Sequence, residues 1–158
     1  MPKRAPVATV TARERESEPV VQFTVFLPNR LGRLHEVTCR LAEREVHILA
    51  LTVLDTTDST ILRFVVDDPD RARDLLAEHD FPFTETVVLA VEVGGEGRLK
   101  DVLHALLEAE LNIHYTYPFL TRPGDKSALI VSIEDQEVAE QALRQHQFAV
   151  LYQGDLSR

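Results

Sequence analysis

Leu27-Pro28-Asn29-Arg30-Leu31-Gly32-Arg33-Leu34 returns in altered form as Gly94-Gly95-Glu96-Gly97-Arg98-Leu99-Lys100, and that recurrence decides the fold. Gly97-Arg98-Leu99 lies 65 residues after Gly32-Arg33-Leu34, and the same offset carries Val37 onto Val102, Leu41 onto Leu106, Glu43 onto Glu108 and Ile48 onto Ile113. Further along the offset becomes 67, pairing Leu62 with Leu129, Phe64 with Val131, Asp68 with Asp135 and Phe81 with Phe148. A drift of two is expected where hairpin turns differ in length, as Thr56-Thr57-Asp58-Ser59 and Thr121-Arg122-Pro123-Gly124-Asp125 do. Agreement sustained this far reads as one unit present twice.

The flanks of the first stretch define that unit. Val21, Phe23, Val25 and Leu27 alternate with Gln22 and Thr24, which is strand periodicity. Leu34, Val37 and Leu41 then recur at helical spacing, with His35, Glu36, Arg40 and Glu43 on the other face. Val46 to Leu54 is β-branched and apolar, a second strand, and Thr60 to Val66 a third. Pro69 opens a helix whose apolar side is Ala72, Leu75 and Leu76. Phe83 to Val88 returns to strand. The order β-α-β-β-α-β, run twice, makes the fold class α+β. Thr84 to Val93 serves as last strand of one copy and first of the next, so no flexible linker separates them. We expect a tail at 1–19, one unit at 20–87 and a second at 88–158.

In such a unit both helices cover one sheet face and leave the other bare, with polar residues at alternate strand positions. The second strand departs from this. Val46, Ile48, Ala50, Thr52 and Leu54 line one side, His47, Leu49, Leu51 and Val53 the other, so the open face needs a cover. A second copy of the chain, forming a homodimer through that face, is the favoured cover. The alternative is that the second unit packs back onto the first.

The 158 residues include 17 Lys or Arg against 26 Asp or Glu, a net charge of −9. A body this acidic repels phosphate backbones, which excludes nucleic acid as a partner. No apolar run of about 18 residues offers a membrane span, and no apolar leader offers a secretory signal. One cysteine, Cys39, suits a reducing compartment, and the expected location is cytoplasmic. The tail, mixing Arg13 and Arg15 with Glu14, Glu16 and Glu18, reads as disordered.

Catalytic patterns are missing. No Gly-x-Ser-x-Gly elbow is present, and Cys39 has no positioned base. His35 and Cys39 have the i, i+4 spacing that can hold zinc, but two further ligands are not evident. His104 and Glu108 read as an exposed pair. Asp67-Asp68 and Glu134-Asp135 fall where strands pass into helices and read as N-caps. We expect no catalytic residue, no metal and no cofactor. The Gly94-to-Lys100 stretch invites a phosphate-loop reading, yet lacks both the last glycine of Gly-x-Gly-x-x-Gly and a Gly-Lys-Ser/Thr ending. Its glycines would let N–H groups at a helix N-terminus approach a carboxylate as readily as a phosphate.

The strand–Asn-Arg-x-Gly-x-Leu–helix turn, followed by a strand that opens with a polar residue and Ile, resembles the ACT domain. Since the repeat covers nearly everything after Val20, the body resembles a tandem ACT pair. The resemblance implies two ferredoxin-like units with antiparallel sheets side by side, helices on one face, and a regulatory protein that binds a free amino acid. It places the ligand between neighbouring domains, held by the turn of one and the second-strand start of the other. Carried onto this chain, the turn is Asn29, Arg30, Leu31 and Gly32, with the Gly32 and Arg33 N–H groups on the carboxylate. The strand starts are His47-Ile48 and Asn112-Ile113. Asn29 and Asn112 would accept from the ammonium, and Leu31 and Ile113 would wall the pocket. The second turn lacks the Asn-Arg pair and is one residue shorter; Glu96, between Gly95 and Gly97, would pair with a cation. The favoured site joins the first turn to Asn112, and the next joins the second turn to His47. Tyr115 and Tyr117 read as core.

The expected function is that of a non-catalytic sensor whose amino acid shifts association with a metabolic enzyme or regulator. The alternatives are a regulatory small subunit resembling that of acetolactate synthase, or a ligand-free dimerisation scaffold.

Overall fold

The structure, a computed structural model, describes residues 18–95 and 98–157. All but the last two residues of the expected tail lie outside the described residues, as do Glu96 and Gly97. The first unit runs β1 (Val20–Pro28), α1 (Arg33–Glu43), β2 (Ile48–Asp55), β3 (Ser59–Val66) and α2 (Pro69–Glu78) into β4 (Phe83–Gly94). The second continues through α3 (Leu99–Glu108), β5 (Ile113–Pro118), β6 (Ser127–Ile133), α4 (Gln136–Gln145), β7 (Val150–Leu151) and α5 (Gln153–Leu156). The fold is two βαββαβ-like units with antiparallel pairing throughout.

Each unit has its own core between sheet and helices. In the first, Phe23, Val25 and Leu27 of β1 pack on Val37 and Leu41 of α1, Leu75 and Leu76 of α2, and Leu62 and Phe64 of β3. The Phe23 ring centre lies 5.7 Å from that of Phe64 and 6.0 Å from that of Phe83. In the second, Leu89 and Val91 pack on Val102, Leu106, Val131 and Leu143. Each large apolar side chain so buried contributes about 1.5–3 kcal/mol.

One long strand joins the sheets. β4 pairs with β1 from Val25↔Phe83 to Val20↔Val88, then with β6 from Leu89↔Val131 onward. The strand order is therefore β2-β3-β1-β4-β6-β5, with β7 added against β4 at Ala90 and Val91. Alternate side chains of β4 divide the work, as strand periodicity requires. Phe83, Leu89 and Val91 face the helices, while Val88 and Ala90 enter a third core.

That third core lies between the two sheets and corrects the expected cover of the open face. Val20, Leu49, Ala50 and Val65 of the first sheet meet Val88, Ala90, Tyr117 and Ile130 of the second, with Leu156 of α5. The far edges also meet, since Ala50 bridges Phe119 and the Leu120 N–H donates to the Leu49 carbonyl at 2.7 Å. The face for which a second copy was the favoured cover is thus occupied within one chain, by the second unit. Physically, a unit already tethered through β4 meets its neighbour without the loss of translational freedom that a second chain incurs. Gln22, a polar position on β1, is fully buried here: its Nε2 donates to the Tyr115 hydroxyl at 2.7 Å and its Oε1 accepts from Tyr117 at 2.6 Å. Arg63 lies 4.1 Å from the Tyr115 ring centre, a cation–π contact across the same junction.

The four longer helices all end alike. Val46 N–H reaches back to Leu41, Phe81 to Leu76, Leu111 to Leu106 and Phe148 to Leu143. These are Schellman closures, each with an apolar residue folding onto the last helical turn. The left-handed residue that each one needs is Glu45, Asp80, Glu110 or Gln147, with φ between 56° and 64° and no glycine among them.

Candidate functional site

The first turn is built at the end of β1. Arg30 N–H donates to the Pro28 carbonyl at 2.8 Å, and Gly32 closes the turn at φ 86°, which a side chain would strain. A Cβ there would meet nothing within 4 Å, so the demand is conformational rather than steric. Among the described residues no side chain caps α1 behind Gly32, nor α3 behind Arg98. The other two long helices are closed: Asp68 accepts from Arg71 N–H, and Asp135 from Val138 N–H, both at 3.1 Å. In the first unit, then, the helix after the turn keeps an uncapped, electropositive start.

Beside this start lies a cavity of about 220 Å³ lined by Leu27, Pro28, Asn29, Arg30, Arg33, Leu34, Val53, Asp55 and Thr60. Strand register explains the company. Leu27 pairs with Thr60, and Thr60 with Asp55, so the β2–β3 hairpin end stands against the turn. At about 4.8 Å per strand, Asp55 is about 10 Å across from Leu27. Among the described residues neither Arg30 nor Asp55 has an ion-pair partner. A guanidinium, a carboxylate and an amide therefore surround an apolar floor of Leu27, Leu34 and Val53. That is the complement of a zwitterion with an apolar side chain. The cavity is small beside the roughly 300–1,000 Å³ of drug-sized sites, which suits a small metabolite.

Arg33 has structural work. Its guanidinium stands 5.5 Å from the Phe81 ring centre and 2.7 Å from the Glu36 carboxylate. Arg98 does the same, 4.7 Å from Phe148 and 3.5 Å from Asp101. The repetition marks a clamp that holds each turn against the aromatic residue of its own unit.

The other residues singled out in the sequence are dispersed. Leu31 is fully exposed and does not line the turn cavity; the apolar wall comes from Leu27, Leu34 and Val53 instead. Gly95 is exposed beside Gly94, whose φ is 82°. Asn112 accepts from the Glu134 N–H through its carbonyl at 3.3 Å, and Ile113 packs on the second core. Neither lines the turn cavity, because Leu89 pairs with Val131 whereas Val25 pairs with Phe83. That register displaces the head of β5 from the turn by five or more residues of β4, about 17 Å along the strand. Ile48 packs on the first core. His47 is held by Asp67, which accepts its backbone N–H at 2.8 Å and stands 2.7 Å from its Nδ1. Asp67 is therefore a histidine holder, while its neighbour Asp68 is the cap. The Cys39 thiol lies 3.5 Å from the His35 ring. Among the described residues no group of three or more His, Cys, Asp or Glu is arranged around a metal position, and no helix is long and apolar enough to cross a membrane. Sequence reasoning missed Asp55, Thr60 and Val53, whose only signal was their closeness to the hairpin turn.

A tandem of βαββαβ units sharing one long strand is an α+β fold of two ferredoxin-like halves. The chain is a member of the ACT domain pair family, whose model matches residues 19–158. Among solved structures it is similar to protein BT0572 from Bacteroides thetaiotaomicron, at 28% identity and a TM-score of 0.80 over 89% of this chain and 96% of that one. It is also similar in fold to the ligand-free regulatory subunit of aspartate kinase from Thermus thermophilus, at 19% identity and a TM-score of 0.58 over 82% and 91% of the two chains. The regulatory subunit of aspartate kinase from Thermus flavus is alike at 19% identity and a TM-score of 0.56, over 82% and 94%. No curated protein matches the chain.

Proposed function

We propose that this chain is a non-catalytic regulatory protein that senses a free amino acid at the first turn and thereby alters its association with a second copy or with a metabolic enzyme. The observation that carries this is the donor set of the turn cavity. Arg30 and the uncapped start of α1 receive the carboxylate, Asp55 the ammonium, and Asn29 bridges the two. Leu27, Leu34 and Val53 receive the side chain, which favours an apolar amino acid. The similarity in fold to regulatory subunits of aspartate kinase supports a regulatory role.

A thermal-shift screen of the full chain against the twenty amino acids tests it. A ligand at a hundred times its dissociation constant stabilises the native state by about 2.7 kcal/mol. One or a few selective hits are expected, and a flat screen at millimolar ligand overturns the sensor reading. The second reading, a subunit that regulates without a ligand, is favoured by α3, where Leu99, Leu103 and Leu107 are exposed. Their counterparts in α1 are Leu34, Thr38 and Ala42.

A further inference from the structure

The helices of the two units differ in one respect that the repeat makes visible. Among the described residues α3 exposes three leucines at four-residue spacing, Leu99 at 47%, Leu103 at 38% and Leu107 at 71%. No other described helix exposes more than one large apolar side chain. The 65-residue offset puts Leu34, Thr38 and Ala42 at these positions in α1, so the unit folds without leucine at the second and third of them. In α3 the core beneath is supplied by Val102, Ala105 and Leu106 instead. The leucines lie on an open flank. Glu108, about 140° around the helix from Leu103, reaches His146 of α4 at 2.8 Å, so the leucines face away from α4. Positions four apart drift by only about 40° at each step, and the three side chains form one ridge about 12 Å long.

Two properties of the ridge point to its occupant. Leu103 is its midpoint, so a two-fold axis there lays a second, antiparallel ridge in register, Leu103 on Leu103 and Leu99 on Leu107. Charge suits the same alignment. Lys100 is exposed near one end of the ridge and Glu110 beyond the other. Neither has an ion-pair partner among the described residues. In the antiparallel pair position 100 stands opposite position 106 of the other copy, about 6 Å of rise from its Glu110, a gap that the long lysine stem spans. Symmetry makes this contact twice. A parallel pair would set lysine against lysine and glutamate against glutamate. Antiparallel helices also bring each electropositive start to an electronegative end.

We propose that a second copy of this chain covers the ridge, two α3 helices packing antiparallel about Leu103 to form a symmetric dimer. A contact centred on one helix is at the small end of specific interfaces, so the dimer forms and dissociates with concentration. Sedimentation velocity of the full chain, from micromolar to near-millimolar concentration, tests it. A monomer–dimer equilibrium is expected. Leu103→Glu and Leu107→Glu should each weaken it about a hundredfold, with far-UV circular dichroism confirming that the variants fold. Lys100→Glu should weaken it about tenfold, and adding Glu110→Lys should restore it, a rescue that a merely destabilised chain would not show. The proposal is overturned if the chain is monomeric throughout, which leaves the ridge to a different protein. It is overturned as well if the dimer survives Leu103→Glu, or if Glu110→Lys does not rescue Lys100→Glu. The ridge lies in the second unit and the turn cavity in the first. A flat amino-acid screen therefore leaves the dimer standing, and a monomeric chain leaves the sensor standing.

Discussion

Glu45, Asp80, Glu110 and Gln147 occupy left-handed backbone that costs a residue with a Cβ about 1 kcal/mol or more. Glu110→Gly should therefore stabilise the protein by about 0.5–1 kcal/mol, the relief of strain outweighing the added freedom of the unfolded chain, as urea midpoints will report. Tyr117 shows the opposite dependence. Burial pushes its hydroxyl pKa well above the usual tyrosine value, and the hydroxyl supplies the donor that Gln22 Oε1 receives in the third core. Tyr117→Phe should cost about 2 kcal/mol by leaving that acceptor unmet, whereas Tyr115→Phe, at a partly exposed position, should cost less. None of this was visible in the sequence at the level of single residues. Gln22 alternates with apolar neighbours as a solvent-facing residue would, and only the arrival of the second sheet buries it. Asp55 likewise looks like ordinary turn composition until register sets it two strands across from Leu27, beside the first turn.

Elements were far more legible than side-chain roles. The two helix periods in each unit, the Pro69 start and the strand order all follow from local spacing, and all but the Pro69 start recur in the second unit. The α5 segment was hidden because it has no counterpart in the first unit, so the offset that revealed everything else was silent there. Helix ends carry a pH dependence of their own. His146 closes α4 with Nδ1 2.9 Å from the Ala142 carbonyl and Nε2 2.8 Å from the Glu108 carboxylate, an arrangement in which both nitrogens donate only when the ring is charged. The backbone hydrogen bond, and after it Glu108, raise its pKa above the ordinary value of 6.5. A raised folded-state pKa stabilises fully below the unfolded value and loses that contribution as pH rises through the folded one. Stability should accordingly decline as pH rises above about 6.5, and His146→Asn should remove that part of the slope. Denaturant unfolding followed across neutral pH checks both.

At the scale of the whole molecule, one strand makes two units into a single folded body. β4 carries both sheets, the third core seals their open faces together, and the first turn is left outside that seal. The sequence pattern required a cover for the open face but held nothing to distinguish the second unit from a second chain, since both would bury the same apolar side chains. The proposed role of the molecule rests on a first turn that reads a zwitterion. Titrating intact chain and the Asp55→Asn variant side by side by calorimetry, with the amino acid that raises the melting temperature most, tests this directly. Saturable binding by the intact chain is expected, with a loss of about tenfold or more in the variant, roughly 1.4 kcal/mol, because the ammonium loses its charged partner. Equal affinity in the two proteins would contradict it.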